Sequence, residues 1–416
     1  MLSPTDLAAW FRSLFQRSPR QRQNVFSDRT QLIRDSNIRE AARVVADLSA
    51  SNSLVNLGQG LPEYPVPLIL KEAAKAAIDA DFNQYSDTRG YAPLRQAIAA
   101  KLKRYNGIDA NADTEVTVTC GASEALHIAL QALVNPGDEV IIIEPFYENY
   151  HPDVVMSGGV PRYVRLRAPE FTFDATELAD AFNKRTRAIL LTNPHNPTGR
   201  VFTRDELELI AEQCRKWDVV VISDEIYEHL VYDGRRHISI ATLPDMLERT
   251  ITVSGLSKTF GVTGWRIGYF HAAAHLTKQI RKLHDYITLA APTPLQVAAV
   301  TALNLPDSFY AEMTAKYQAA RDELCKAAAE AGFKFRVPEG AYYLFTDSTN
   351  LGFANDKQAW DYMLREHKLV SVAGYCFHRP GTPTNNLRFC FAKRPATIAT
   401  GAALLRAAGH QRAARN

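Results

Sequence analysis

From residue 116 onward the chain repeats one pattern, a short run rich in Val and Ile followed by a stretch patterned as a helix. The apolar runs fall at 116–119, 139–144, 160–166, 188–192, 219–223, 250–254 and 267–270, with helical stretches such as 123–133 and 203–217 between them. Strands separated by helices pair mainly in parallel, because each connection crosses over a face of the sheet. The run Val140-Ile-Ile-Ile143 is apolar at every position, so both of its faces need cover. The pattern therefore predicts an α/β fold with a mainly parallel sheet between layers of helix.

The 416 residues allow roughly two to three domain-sized units. Helical patterning is expected at 33–48, 68–80 and 91–105, and a helix-rich stretch at 294–331 leads to a last α/β portion with strands at 334–337, 341–346 and 387–392. These elements predict an arm (1–30), a large domain (81–305), and a smaller α/β domain drawn from both chain ends (31–80 and 306–416). The arm carries Arg12, Arg17, Arg20, Arg22 and Arg29, with Leu7, Trp10, Phe11, Leu14 and Phe15 at helical spacing. An organelle transit segment has this composition, and so does an arm that packs on a partner subunit. The stretch from Ala396 to Asn416 reads as a final helix that frays.

Composition narrows the partners. Lys and Arg number 48 against 45 acidic residues, which is too even to point to nucleic acid or an anionic membrane. No apolar run approaches the about 20 residues that span a bilayer. Five scattered cysteines without a C-x-x-C pair predict neither a zinc site nor a disulfide framework, and fit reduced thiols in a cytoplasmic protein.

Four segments carry the chemistry. Thr252-Val-Ser-Gly-Leu-Ser-Lys258 places an amine among small residues after a strand, with Arg266 eight positions on. It lacks the glycines of a nucleotide P-loop, since Ser257 and Thr252 occupy those positions. An amine so placed suits imine formation with an aldehyde, and Arg266 suits a phosphate on the same ligand; a surface Lys is the plainer alternative. Asp224, in Ser223-Asp-Glu-Ile-Tyr227, ends a buried strand with a carboxylate or caps the next helix. Asn193-Pro-His-Asn196-Pro-Thr-Gly199 is a strand end and tight turn with two candidate cis prolines. Thr119-Cys-Gly121-Ala122-Ser123 leads from a strand into a helix, as a plain helix start or a phosphate cradle of free N–H groups. All four fall at strand ends, where open α/β sheets bind ligands.

Together with Asn56-Leu-Gly-Gln-Gly60-Leu-Pro, Tyr85…Gly90-Tyr91 and Leu387-Arg388-Phe389, these segments resemble the class I/II aminotransferases of fold type I. The likeness runs from about residue 55 to 393 and is nearest to the kynurenine/glutamine and aromatic branch. It implies pyridoxal 5′-phosphate (PLP) held as a Schiff base on Lys258, which also shuttles the substrate proton. Asp224 would pair with the pyridinium nitrogen, and Asn196 and Tyr227 would bond the ring 3-oxygen. Tyr147 would stack on the ring. Gly121, Ala122, Ser123 and Arg266 would hold the phosphate, assisted by Ser254 or Ser257 and by Tyr85 from the neighbouring subunit of a homodimer. Arg388 would clamp the substrate carboxylate, helped by the Gly60 backbone and Asn196.

The resemblance implies transfer of an amino group from an amino acid to a 2-oxo acid, with no metal. The same motifs serve elimination, decarboxylation, cyclisation and oxidation of amino acids. A PLP-sensing transcription regulator is the non-enzymatic alternative, but about thirty residues before the first family-like helix are too few for a helix-turn-helix module. Two departures bear on specificity. Ala373-Gly374 stands where many relatives carry Pro-Gly, and residues 283–294 hold no Arg where aspartate-specific relatives place one. A neutral or aromatic donor side chain is the expectation.

Overall fold

The computed structural model describes residues 26–33, 35–49 and 54–414. The amphipathic, arginine-rich pattern expected from Leu7 to Arg22 lies outside the described residues. The chain divides into two units, Met1–Asp35 and Ser36–Asn416. A short helix, Asp28–Leu32, belongs to the first. Everything that follows belongs to the second.

In chain order the strands begin with β1 (Val55–Asn56), β2 (Val116–Cys120), β3 (Glu139–Glu144), β4 (Val160–Arg165) and β5 (Thr186–Thr192). There follow β6 (Val220–Asp224), β7 (Thr250–Gly255), β8 (Ile267–His271), β9 (Lys334–Phe335) and β10 (Tyr343–Asp347). The last are β11 (Leu369–Val370), β12 (Val372–Ala373) and β13 (Asn386–Cys390). Seven of them form one sheet in the order β2-β8-β7-β6-β5-β3-β4. All its pairings are parallel except those of β8, which runs antiparallel to both β2 and β7. The expected strands match these within two residues at each end, and only the reversal of β8 escapes the alternation rule.

Strand period two divides this sheet's apolar residues between its faces. Val140, Ile142, Leu190 and Ile222 pack with Leu126, Ala129 and Leu130 of the helix Gly121–Leu133. Ile141, Ile143, Ile189 and Val221 pack with Leu207, Ile210 and Cys214 of the helix Arg204–Trp217. All four residues of the Val140–Ile143 run are almost inaccessible, as a strand covered on both sides requires. The helix Arg204–Trp217 starts with a capping box: Thr203 Oγ1 accepts from the Glu206 N–H, and the Glu206 carboxylate accepts from the Thr203 N–H.

A four-stranded sheet, β12-β13-β10-β9, is antiparallel throughout. The two-residue strand β1 pairs in parallel with β11, joining segments more than three hundred positions apart. The final helix runs from Pro395 to Ala413 and places Gly401 against Leu57. The helix-rich stretch resolves into two helices, Thr293–Leu303 and Asp307–Glu330. The carboxyl ends of β6 and β7, the start of the helix after β2, and β13 all open on one cavity.

Candidate active site

That cavity, of about 340 Å3, is lined by Lys258, Asp224, Tyr227, Asn196, Arg266 and Arg388. Gly60, Ala122, Ser123, Tyr147 and Ser257 border it as well. Eleven residues chosen from motifs scattered over more than three hundred positions therefore share one space. Three do not line it. Gly121 lies just behind Arg266, and Ser254 and Tyr85 lie elsewhere.

Asp224 closes β6 and is buried. The Tyr150 hydroxyl donates to its Oδ2 at 2.7 Å, and the Ile226 N–H donates to its Oδ1 at 3.2 Å. Both donors are neutral, so burial dominates and pushes the carboxyl up to about 6. Tyr150 also contacts the Thr192 hydroxyl at the end of β5, which fixes the phenol over the carboxylate.

Lys258 follows β7 by three residues. Its Nζ makes one long contact, 3.4 Å to the Gly60 carbonyl. Burial pushes the ammonium down to about 8. An amine with so little to hold its proton is a usable nucleophile near neutral pH. Gly60 fits here because it has no side chain: a Cβ would stand 2.1 Å from the Tyr343 hydroxyl. The Gly60 carbonyl also accepts from the Tyr342 hydroxyl at 3.0 Å.

Opposite the amine, Arg388 projects from β13 and is only 3% exposed. Its Nη1 donates to Asn196 Oδ1 at 2.9 Å and its Nη2 to the Gly58 carbonyl at 3.3 Å. The guanidinium lies 4.0 Å from the Tyr343 ring centre and 4.6 Å from that of Phe377. Its Nε has no hydrogen-bond partner, and among the described residues no carboxylate pairs with the group. A buried cation of this kind costs free energy until an anion arrives. The surface ion pair that a strand Arg usually makes is absent among the described residues. The neighbouring β12 holds Ala373 opposite Leu387 and Val372 opposite Arg388, so the Ala373-Gly374 departure sits beside the strand that carries the guanidinium.

Gly121 begins the thirteen-residue helix after β2 with φ +78°, and the preceding Cys120 supplies no side-chain cap. A Cβ at Gly121 would lie 2.4 Å from Arg266 Nη2, so only glycine lets the guanidinium approach the helix end. Arg266 itself is in the left-handed region at φ 56°, a conformation costly for a side-chain residue and concentrated at functional sites. Nearby, Asn193-Pro194 and Asn196-Pro197 are both cis.

One expected position needs correction. The Ser254 hydroxyl donates to Glu228 Oε1 at 2.7 Å, in a buried polar layer with Lys101 and Glu225 beneath the sheet end, and does not face the cavity. Strand alternation explains this: Ser254 precedes the amine by an even number of residues, but the chain leaves β7 at Gly255 and turns. Tyr85 is 82% exposed and reaches no part of its own chain's cavity. Sequence reasoning also missed Tyr150, Tyr343 and Phe377. Tyr150 had a signal, since it lies one helical turn after Tyr147. The Tyr343 hydroxyl, 3.0 Å from that of Tyr227, is brought in by long-range packing and had none.

The comparisons with known proteins decide the family. A family model described as aminotransferase class I and II matches residues 52–403. The chain belongs to the class I and II aminotransferases. Human kynurenine–oxoglutarate transaminase 1 is 36% identical over 387 residues, covering 84% of this chain and 91% of the relative. The methionine aminotransferase of Escherichia coli K12 is 34% identical over 359 residues, covering 86% and 93%. The solved N-succinyldiaminopimelate aminotransferase of Mycobacterium tuberculosis superposes with a TM-score of 0.88 at 36% identity, covering 92% of this chain and all of that one.

Aminotransferases of this class work with PLP, and the cavity of this one fits that group. The uncapped helix end, the room left by Gly121 and the Arg266 guanidinium offer N–H donors and positive charge to a phosphate. Asp224 is a buried carboxylate with only neutral donors, the partner a ring N–H cation lacks in an apolar site. Lys258 is a partly buried amine with one weak contact. Bound there, PLP supplies an electron sink for the substrate's Cα.

Proposed function

We propose that this aminotransferase takes its amino group from an amino acid with a neutral or aromatic side chain and passes it to a 2-oxo acid, with Lys258 as the amine that holds PLP and moves the proton. The observation that carries the reading is the pair of cations on one cavity: an amine of lowered basicity, and a buried guanidinium without an anion among the described residues. A carboxylate held by Arg388 brings the carbon beside it toward Lys258. Fixing that carboxylate also fixes which bond at the α-carbon is turned for cleavage.

In this reading Lys258 would hold PLP and would serve as the base and acid that moves the substrate Cα proton. Asp224 would serve the ring nitrogen, with Tyr150 holding its orientation. Tyr227 and Asn196 would donate to the ring oxygen, and Tyr147 would stack on the ring. Ala122, Ser123 and Arg266 would hold the phosphate, assisted by Ser257. Ile38, Leu126, Tyr147 and Tyr343 give the cavity an apolar lining, which supports a neutral or aromatic donor. The kynurenine and methionine specificities of two relatives agree with this.

A homodimer belongs to the same proposal. Tyr85, Leu68, Ile69 and Phe82 are exposed, as are Ile287, Leu289 and Tyr286, the last at 93%. Such a concentration of exposed large apolar groups favours burial against a second copy, from which Tyr85 would reach the neighbouring phosphate.

The test mixes holoenzyme with a panel of amino acids, with and without a 2-oxo acid, and identifies products by mass. A new 2-oxo acid formed only when an acceptor is present supports the reading, best with aromatic or thioether donors. Release of ammonia, carbon dioxide or peroxide without an acceptor would replace it with another reaction of the same site.

A further inference from the structure

Arg39 was not singled out by any motif, yet it lines the cavity. It stands in the first turn of the helix Asn37–Ser49. A cation there faces the positive end of the helix dipole, so local energetics disfavour it. Glu148 is the nearest compensation. Its Oε2 accepts from the Ser36 hydroxyl at 2.7 Å, and its Oε1 from the N–H groups of Asn37 at 2.6 Å and Ile38 at 3.4 Å. Those bonds use both oxygens to cap the helix and pin its first turn to the segment that carries Tyr147. Glu148 forms no ion pair with Arg39, and among the described residues no other carboxylate does. The positive charge is felt inside the cavity, where it partly opposes the rise that burial imposes on the Tyr147 phenol.

We propose that Arg39 is the clamp for the distal carboxylate of a dicarboxylic 2-oxo acid, of the 2-oxoglutarate type, while Arg388 holds the carboxylate next to the reacting carbon. This rests on the reading of the cavity as the site of amino-group transfer. The two cations differ in a way that suits two successive substrates. Arg388 is buried and held by two hydrogen bonds and two aromatic rings, so every substrate meets it in one geometry. Arg39 is exposed, and its side chain is tied to no partner among the described residues. With a neutral or aromatic donor, the guanidinium stays in water, because burying it unpaired would be costly. With a dicarboxylate it closes on the second anion through charge-assisted, paired hydrogen bonds. One cavity thereby accepts both kinds of molecule in turn.

The experiment compares wild-type holoenzyme with Arg39→Gln and Arg39→Lys. Rates of amine uptake are measured for 2-oxoglutarate and for 4-methyl-2-oxopentanoate, a monocarboxylic acceptor of similar length. In Arg39→Gln the preference for the dicarboxylate, as a ratio of kcat/KM values, falls on the order of 10- to 100-fold, mostly through KM. Arg39→Lys keeps part of the preference as a point charge without the fork. Calorimetric titration with glutarate, which cannot react, weakens by a similar factor in Arg39→Gln. An unmoved ratio, or equal losses for both acceptors, overturns the assignment while transamination by the wild type stands. A wild type that accepts neither 2-oxo acid overturns the underlying reading as well.

Discussion

The two walls of the cavity treat charge in opposite ways. On the wall built from the tips of β6 and β7, burial moves both ionisable groups toward neutrality, Asp224 up to about 6 and Lys258 down to about 8. On the wall built from β13 and the turn at residues 56–60, Arg388 is 3% exposed and presents a guanidinium, whose donors form a rigid planar fork. The first wall carries the amine that moves the proton. The second is set to hold one geometry. Their scaffolds match these tasks: Asp224 ends β6 and Lys258 follows β7, in a sheet packed on both faces, whereas Arg388 is fixed by a polar amide, a carbonyl and two aromatic rings.

Substitutions can break this contrast, and the largest effect is expected on the first wall. Lys258→Ala removes the nucleophile and the proton carrier together, so kcat falls by about four orders of magnitude or more. Borohydride treatment followed by mass mapping should attach the cofactor to the peptide containing residue 258 in the wild type and nowhere in the variant. Retained turnover would mean that the amine is a bystander. On the second wall, Arg388→Lys keeps a charge but loses the paired donors, and KM for amino acid rises roughly 10- to 100-fold while cofactor binding holds. Steady-state kinetics alongside cofactor titration separates the two. A loss in kcat with unchanged KM would place Arg388 with the proton-moving groups and erase the distinction between the walls.

The walls also differed in how well the sequence announced them. Asp224 and Lys258 each end or follow an apolar run, and strand ends are where such folds place ligands, so local pattern sufficed. The helix start at Gly121 was legible for the same reason. Arg388 was visible only through its resemblance to a family motif, because a strand Arg alone points to the surface. Tyr343, Phe377 and Arg39 carried no signal, since their places depend on β10, the turn before β13 and the helix Asn37–Ser49 meeting across the fold. Ser254 shows the reverse error: its nearness to Lys258 in sequence suggested a shared task, but the turn after Gly255 leaves its hydroxyl with Glu228. The antiparallel β8 was hidden too, because a strand's direction depends on its connection and not on its own residues.

The smallest expected effect tests the source of the Asp224 shift. Its folded value lies above the ordinary 3.8 of an unfolded chain, raised to about 6 by burial. A raised carboxyl binds its proton more tightly when folded, so its contribution to stability is fully present below about pH 4 and is lost as pH rises through 6. Above that, the buried charge costs the cofactor-free protein about 3 kcal/mol, at roughly 1.4 kcal/mol per unit. Asn at this position has nearly the same shape, still accepts from the Ile226 N–H and carries no charge. Cofactor-free Asp224→Asn should therefore be more stable than the wild type by about 1–3 kcal/mol at pH 8, once the weakened bond to Tyr150 is allowed for. The gain should shrink below pH 6 and vanish near pH 4, while kcat of the holoenzyme falls. Urea unfolding of both cofactor-free proteins at pH 5 and pH 8 measures the difference. An equal gain at both values would mean that the carboxylate is not held against its own desolvation, and that the first wall is less tuned than its geometry implies.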